Sequence, residues 1–206
     1  MSQKVILVAN QKGGICKTTI SASMSVHYAK LGKNVLLADM DFLQKSTSQD
    51  WYLEREKKLE NLTVKEFRTV KALANAAAGF DVVVIDGAPH ASGLTLELAE
   101  VADKVIIPTG STMIDLKPSV RLAFELKNQG ITDIQFALIK MLSEAEALSA
   151  MAGLEKQSLD VSKVWLQAAI GFANAIDIGL GLQEATHWSL RKKGKAFVES
   201  LAIPCN

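Results

Sequence analysis

Lys12-Gly13-Gly14-Ile15-Cys16-Lys17-Thr18-Thr19 follows directly on the apolar run Val5–Ala9 and combines two lysines, paired glycines and two hydroxyls. That combination suits capture of a phosphate chain. A loop that leaves a buried strand and opens a helix aims several backbone N–H groups and the positive helix end at one point. Gly13 and Gly14 let the backbone approach a ligand with no Cβ in the way. Lys17 is placed to reach the β- and γ-phosphates, and the Thr18 hydroxyl to ligate Mg²⁺. The competing explanation is a plain Gly-Gly turn followed by an incidental Lys-Thr-Thr.

Ligands of an open α/β sheet bind beyond the carboxyl ends of its strands. Two apolar runs end there in aspartates: Leu36-Leu37-Ala38-Asp39-Met40-Asp41 and Val82-Val83-Val84-Ile85-Asp86-Gly87. Four apolar residues before an aspartate is the Walker B arrangement, whose carboxylate holds Mg²⁺ directly or through water. Gly87 would let the next loop follow a γ-phosphate, as switch loops do. Each aspartate alone reads equally as a helix cap or loop residue, and only their grouping favours a shared site. His90 follows the same strand as either an acid–base group or a solvated loop residue, and His27 reads as structural.

The elements that must hold these groups alternate strand and helix. Strands are expected at Val5–Ala9, Val35–Ala38, Val82–Ile85, Val105–Pro108 and Ile134–Ile139, with an edge strand at Leu62–Phe67. Helices are expected at Lys17–Leu31 and Leu116–Asn128, ended by Gly32 and Gly130, and at Ser46–Lys58. Strands apolar along their whole length are buried on both faces, which predicts an α/β, doubly wound, mostly parallel sheet flanked by helices. Further on, Ala145–Leu159 reads as helix, Val164–Ala168 as strand and Ala185–Leu201 as a last helix.

Length and composition set the class. The chain has 206 residues, 49% hydrophobic and 22% charged, enough for a core without metals or disulfides. Cys16 and Cys205 stand far apart, so no disulfide framework is expected, and a reducing, cytoplasmic compartment is. A formal charge of +1 confines any nucleic-acid contact to a local patch. The compact basic cluster is Arg191, Lys192, Lys193 and Lys195, which reads as a DNA-phosphate contact or as a solvated helix face.

The strict P-loop expression fails, because Gln11 and Cys16 occupy its two glycine positions. The deviant form Lys-Gly-Gly-x-Gly-Lys-Thr-Thr matches everywhere except Cys16. In this the chain resembles the ParA/MinD family of deviant-Walker ATPases, most of all a short ParA-type partition protein. The resemblance implies one P-loop NTPase-type domain over residues 1–206 that binds ATP and Mg²⁺ and hydrolyses ATP slowly. It implies that Lys12 reaches across an ATP-sandwich homodimer, that Asp41 orients the attacking water, and that Asp39 and Asp86 support the metal with Thr18. Gly13 through Thr19 would cradle the nucleotide. Asp103–Thr109 resembles the family's next strand, with Ser111, Thr112 and Asp115 candidates for the dimer face.

Partners implied by the resemblance are non-specific DNA, when ATP is bound, and a centromere-binding adaptor of the ParB or ParG kind. A cytoplasmic, nucleoid-associated protein without membrane attachment is expected: Glu199 and Pro204 interrupt the final apolar stretch, unlike the basic amphipathic end of MinD-type relatives. The strand before the loop begins within five residues of Met1, so no DNA-reading extension is expected ahead of it. Three departures stand out. Phe42-Leu43-Gln44 replaces the Pro-Gln that usually follows Asp-x-Asp. Ile170 and Gly171 stand where partition ATPases carry an arginine, in the segment running to Glu184. A Cβ at position 16 costs on the order of 1 kcal/mol if φ is positive there. Either the loop tolerates it, or turnover is impaired and the protein is a nucleotide-binding scaffold or DNA-processing accessory factor. A metabolic ATP-dependent enzyme of the dethiobiotin-synthase kind is a further alternative.

Overall fold

The computed structural model describes residues 2–41, 47–89 and 92–205. The strands are β1 (Lys4–Val8), β2 (Val35–Asp39), β3 (Leu62–Glu66), β4 (Val82–Asp86), β5 (Lys104–Thr109), β6 (Ile134–Leu138) and β7 (Asp160–Val161). They form one sheet in the order β3-β2-β4-β1-β5-β6-β7, with every pairing parallel. The helices are α1 (Lys17–Lys30), α2 (Thr47–Glu54), α3 (Val70–Ala77), α4 (Ser92–Glu100), α5 (Met113–Asn128), α6 (Glu144–Glu155), α7 (Ile170–Asp177) and α8 (Trp188–Leu201). A 3₁₀ turn, Leu182–Glu184, joins the last two.

The double-sided burial expected of a parallel sheet is met residue by residue. Leu7, Leu36, Ala38, Val83, Ile85, Val105 and Ile107 face one apolar cluster. Their alternates Ile6, Val8, Val35, Leu37, Val82, Val84 and Ile106 face the other. Period-2 alternation with both sets apolar leaves the strands no solvent face, so helices must cover both sides. β3 is the edge strand that Leu62–Phe67 predicts. β1 lies between β4 and β5, where connections turn toward opposite halves of the sheet, and a crevice opens at such a switch point.

Differences from the expected elements have local causes. α2 ends at Glu54, short of Lys58, because the Lys58 ammonium donates to the carbonyls of Tyr52 and Leu53 and closes the last turn. The start of that helix at Ser46 lies outside the described residues, as do Phe42, Leu43, Gln44 and His90. Val164–Ala168 is not a strand. The Ser162 hydroxyl bonds both the N–H and the carbonyl of Val164 and breaks the ladder. What remains is Leu166 N–H donating to Leu138 O at 3.0 Å and an isolated Met141–Gln167 bridge, while the regular pairing lies earlier, at β7. α8 starts at Trp188 and not Ala185, since the preceding residues form the 3₁₀ turn and Ala185 is extended.

Candidate functional site

Asp39, Asp86 and Val8 end neighbouring strands in register, so sheet pairing alone sets two carboxylates beside the start of the glycine loop. Asn10 fixes that start. Its side-chain amide donates to Pro108 O at 2.7 Å and Ser119 Oγ at 2.8 Å, and its Oδ1 accepts from Lys12 N–H at 2.9 Å. The loop then turns through Gly14 at φ 70° and Cys16 at φ 66° before α1 begins. Cys16 therefore does occupy the left-handed position for which the motif supplies glycine. Its side chain packs against the apolar cluster under α1 and leaves the cradle open.

A cavity of about 300 Å³ lies over the loop. Its walls are Gly13 through Thr19, Asp39, Asp41, Asp86, Gly87 and Pro89. Every candidate site residue apart from Lys12 is thus brought to one space. Lys12 stands aside: its ammonium pairs with Asp115 of the same chain, and only its carbonyl points inward, accepting from Lys17 Nζ at 3.2 Å. Gly110 makes the pairing possible, since a Cβ there would collide with the Asp115 carboxylate. Burial pushes the Asp115 carboxyl up, but bonds from Lys12 and Thr112 outweigh it and hold the group below the usual range.

The electrostatics are those of a site prepared for a polyanion and a cation together. Lys17 is buried, and desolvation lowers its pKa against the opposing pull of Asp86 and Asp41. Asp86 is 3% exposed, and its pKa is pushed up to about 6, first by burial and then by the neighbouring Asp39 charge. Hydroxyls of Thr18 and Ser48, the latter at 2.9 Å, work the other way. Ser21 Oγ lies 3.3 Å from the same carboxylate. Asp39 accepts from Asp41 N–H at 2.9 Å and from Ser48 N–H at 3.1 Å. Two buried, adjacent carboxylates suit a hard divalent cation. Among the described residues no three His, Cys, Asp or Glu side chains could hold an ion unaided. Mg²⁺ takes one or two carboxylates and completes its shell with phosphates and water.

A second cavity of about 420 Å³ adjoins the first and shares Cys16 and Thr19 with it. Ile139, Phe172, Ile176 and Leu182 make its walls largely apolar. Residues that sequence reasoning passed over include Asn10, Ser21, Ser48 and the wall of this cavity. Only the Ser-Thr-Ser run at 46–48, close behind Asp41, offered a signal.

All four residues of the basic cluster lie on α8, with Arg191 and Lys195 exposed and Lys193 half-buried. Arg191 donates to the carbonyls of Ala185 and Thr186, Lys193 lies 3.6 Å from the Trp165 ring centroid, and Lys195 approaches Glu199 at 3.7 Å. Lys192 is exposed. His27 is half-buried, and burial lowers its pKa. Among the described residues no helix is long and apolar enough to cross a membrane.

The AAA domain family model matches residues 3–66, which hold the loop and the first aspartate pair. Chromosome-partitioning ATPase Soj of Thermus thermophilus is 33% identical over 132 residues, 50% of this chain and 53% of that one. Among solved structures, the MinD cell division protein of Aquifex aeolicus superposes with a TM-score of 0.75, covering 98% of this chain and 99% of that one at 17% identity. Over its first half the chain is similar in sequence to partition ATPases of the ParA/Soj kind, and its fold is that of MinD. A relative matched over more of its length is Maintenance of carboxysome distribution protein A of Gloeobacter kilaueensis, 23% identical over 184 residues, 87% of this chain and 83% of that one. The chain spans about half the length of the ParA and Soj relatives it matches. The ParA/MinD deviation, a lysine before the paired glycines, is Lys12 here.

Proposed function

We propose that this chain is a single-domain ATPase over residues 1–206 that binds ATP with Mg²⁺ and hydrolyses it slowly. The observation that carries this reading is the cavity uniting Gly13 through Thr19 with Asp39, Asp41 and Asp86. Amides of the loop and the Lys17 ammonium would hold the phosphates, and the base would enter the adjoining apolar cavity. Thr18, Asp39 and Asp86 would hold the metal. Mg²⁺, when bound, supplies charge neutralisation at the β- and γ-phosphate oxygens. Asp41 would orient the attacking water and accept its hydrogen bond. A Lys17→Ala variant is expected to lose about 100-fold in ATP affinity by calorimetry, since a charged hydrogen bond to phosphate in a desolvated cradle contributes on the order of 3 kcal/mol. Equal affinity would remove the cradle from the reading.

The wider function proposed here is supported by the likeness to Soj and ParA relatives. ATP would close a sandwich homodimer in which Lys12 leaves Asp115 and reaches the partner's nucleotide. The dimer would bind DNA non-specifically in the cytoplasm, on the nucleoid, and a ParB- or ParG-like adaptor would stimulate hydrolysis. ATP can drive this only through different affinities for dimer and monomer. Solution mass measured with and without ATP tests the dimer. For DNA, Arg191, Lys192 and Lys195 are the exposed members of the α8 cluster. Lys192→Glu is expected to weaken DNA binding several-fold and to flatten its salt dependence by about one to two charges. Unchanged salt dependence would place the DNA contact on another face.

A further inference from the structure

Lys140 stands at the junction of the two cavities. It follows β6, lines the second cavity, and donates from Nζ to the Gly14 carbonyl at 3.1 Å, bridging 126 positions of sequence. Its backbone is held at φ 62°, a left-handed value that costs a residue with a Cβ on the order of 1 kcal/mol. The next residue shows what imposes it. Met141 N–H donates to Leu166 O at 3.0 Å, and Met141 O accepts from Ala168 N–H at 2.9 Å. β6 must therefore turn sharply at Lys140 to meet the returning chain, and the turn brings the side chain over the glycine loop.

The loop has reason to be held there. A Cβ built on Gly13 or Gly14 would meet nothing within 4 Å, so neither packing nor side-chain sterics fixes the peptides around them. Glycine populates both signs of φ readily. A rotated peptide at this place would aim a carbonyl oxygen, not an N–H, at incoming phosphates. A cation on the Gly14 carbonyl opposes that rotation. It also adds positive charge at the wall of the apolar cavity, on the way from the glycine loop that a nucleotide filling both cavities would take. Its reach extends to Asp115, whose carboxyl it helps to hold low.

We propose that Lys140 is a nucleotide-positioning residue: it fixes the Gly14 peptide and sets a further cation over the passage between the two cavities. This rests on the ATP reading above. The test is calorimetric titration of the full chain with ADP, without Mg²⁺, for the unaltered protein, Lys140→Met, Lys140→Asn and Lys140→Arg. The Met and Asn variants are expected to bind about tenfold more weakly, with no loss of melting temperature because the side chain is exposed. Asn tolerates the left-handed backbone and so separates lost charge from backbone strain. Arg is expected to recover most of the affinity, which a merely structural position would not show. Binding by the Met and Asn variants within twofold of the unaltered chain would overturn the proposal and leave the ATP reading standing. Absence of ADP binding by the unaltered chain would overturn both.

Discussion

Replacement of Asp41 by alanine is expected to leave ATP binding within about threefold and to slow hydrolysis by 10²-fold or more, the usual scale for a lost proton acceptor or water-orienting group. Asp41 lines the phosphate cavity, yet the hydrogen bonds that join the strand ends run chiefly through its neighbours. Asp39 accepts the N–H groups of both Asp41 and Ser48, and Asp86 accepts the Ser48 hydroxyl. The Asp41 N–H survives substitution, so the turn that Asp39 holds survives with it. What is lost is a half-buried carboxylate near Lys17, whose charge it supports. Single-turnover measurement separates the outcomes. A normal rate with Asp41→Ala would assign the water to another group, and a collapse of binding would make Asp41 part of the cradle.

Arg55→Leu is expected to cost about 3 kcal/mol of stability, or roughly 10 °C in melting temperature. Arg55 is 4% exposed and donates to both oxygens of Glu184, at 2.7 and 2.8 Å, and to Gly179 O at 3.0 Å. Lys30 meets the same carboxylate at 2.6 Å. Removing one partner leaves a largely buried charge short of compensation, which costs more than the net worth of the pair. Gly179 shows how tightly this junction is drawn: its φ is 72°, and a Cβ there would collide with the Arg55 backbone. Burial raises the Glu184 carboxyl, but Arg55, the Gly181 N–H and Lys30 together bring its pKa down to about 2. A folded-state value below the free value of 4.5 gives stability that is present above that pH and lost as pH falls toward 2. Urea unfolding between pH 5 and 3 should therefore fall steeply for the unaltered chain and less for Arg55→Leu. Equal slopes would remove the ion pair from the acid sensitivity.

Legibility in the sequence followed how local the determining physics was. β1, the loop and α1 were readable because an apolar run, two glycines and a lysine specify strand, turn and helix within twenty residues or so. Asp39 and Asp86 were readable because both end apolar runs, although their pairing in register is a property of the sheet. α3 and α4 passed unmarked. The first is short and begins at a Thr69 cap, and the second follows residues with no periodic lead-in. The apolar cavity was illegible for another reason. Its walls come from Cys16, the residues just after β6, the Gln167 bridge and α7, which only the fold brings together. Nothing local at Lys140 announces a left-handed turn, since Met141 and its partners impose it from a distance. The basic cluster reads as four cations in five positions, but its bonds within the chain, from Arg191 and Lys193, depend on the fold.

The central claim is that the glycine loop and the aspartates of β2 and β4 enclose one Mg²⁺-nucleotide site. A crystal grown with a non-hydrolysable ATP analogue and Mn²⁺ in place of Mg²⁺ tests it most directly through the metal's anomalous signal. The account predicts one peak bounded by Thr18, Asp39 and Asp86, with the phosphates over Gly13, Gly14 and Lys17. Nucleotide bound elsewhere, or a metal peak away from both carboxylates, would contradict it.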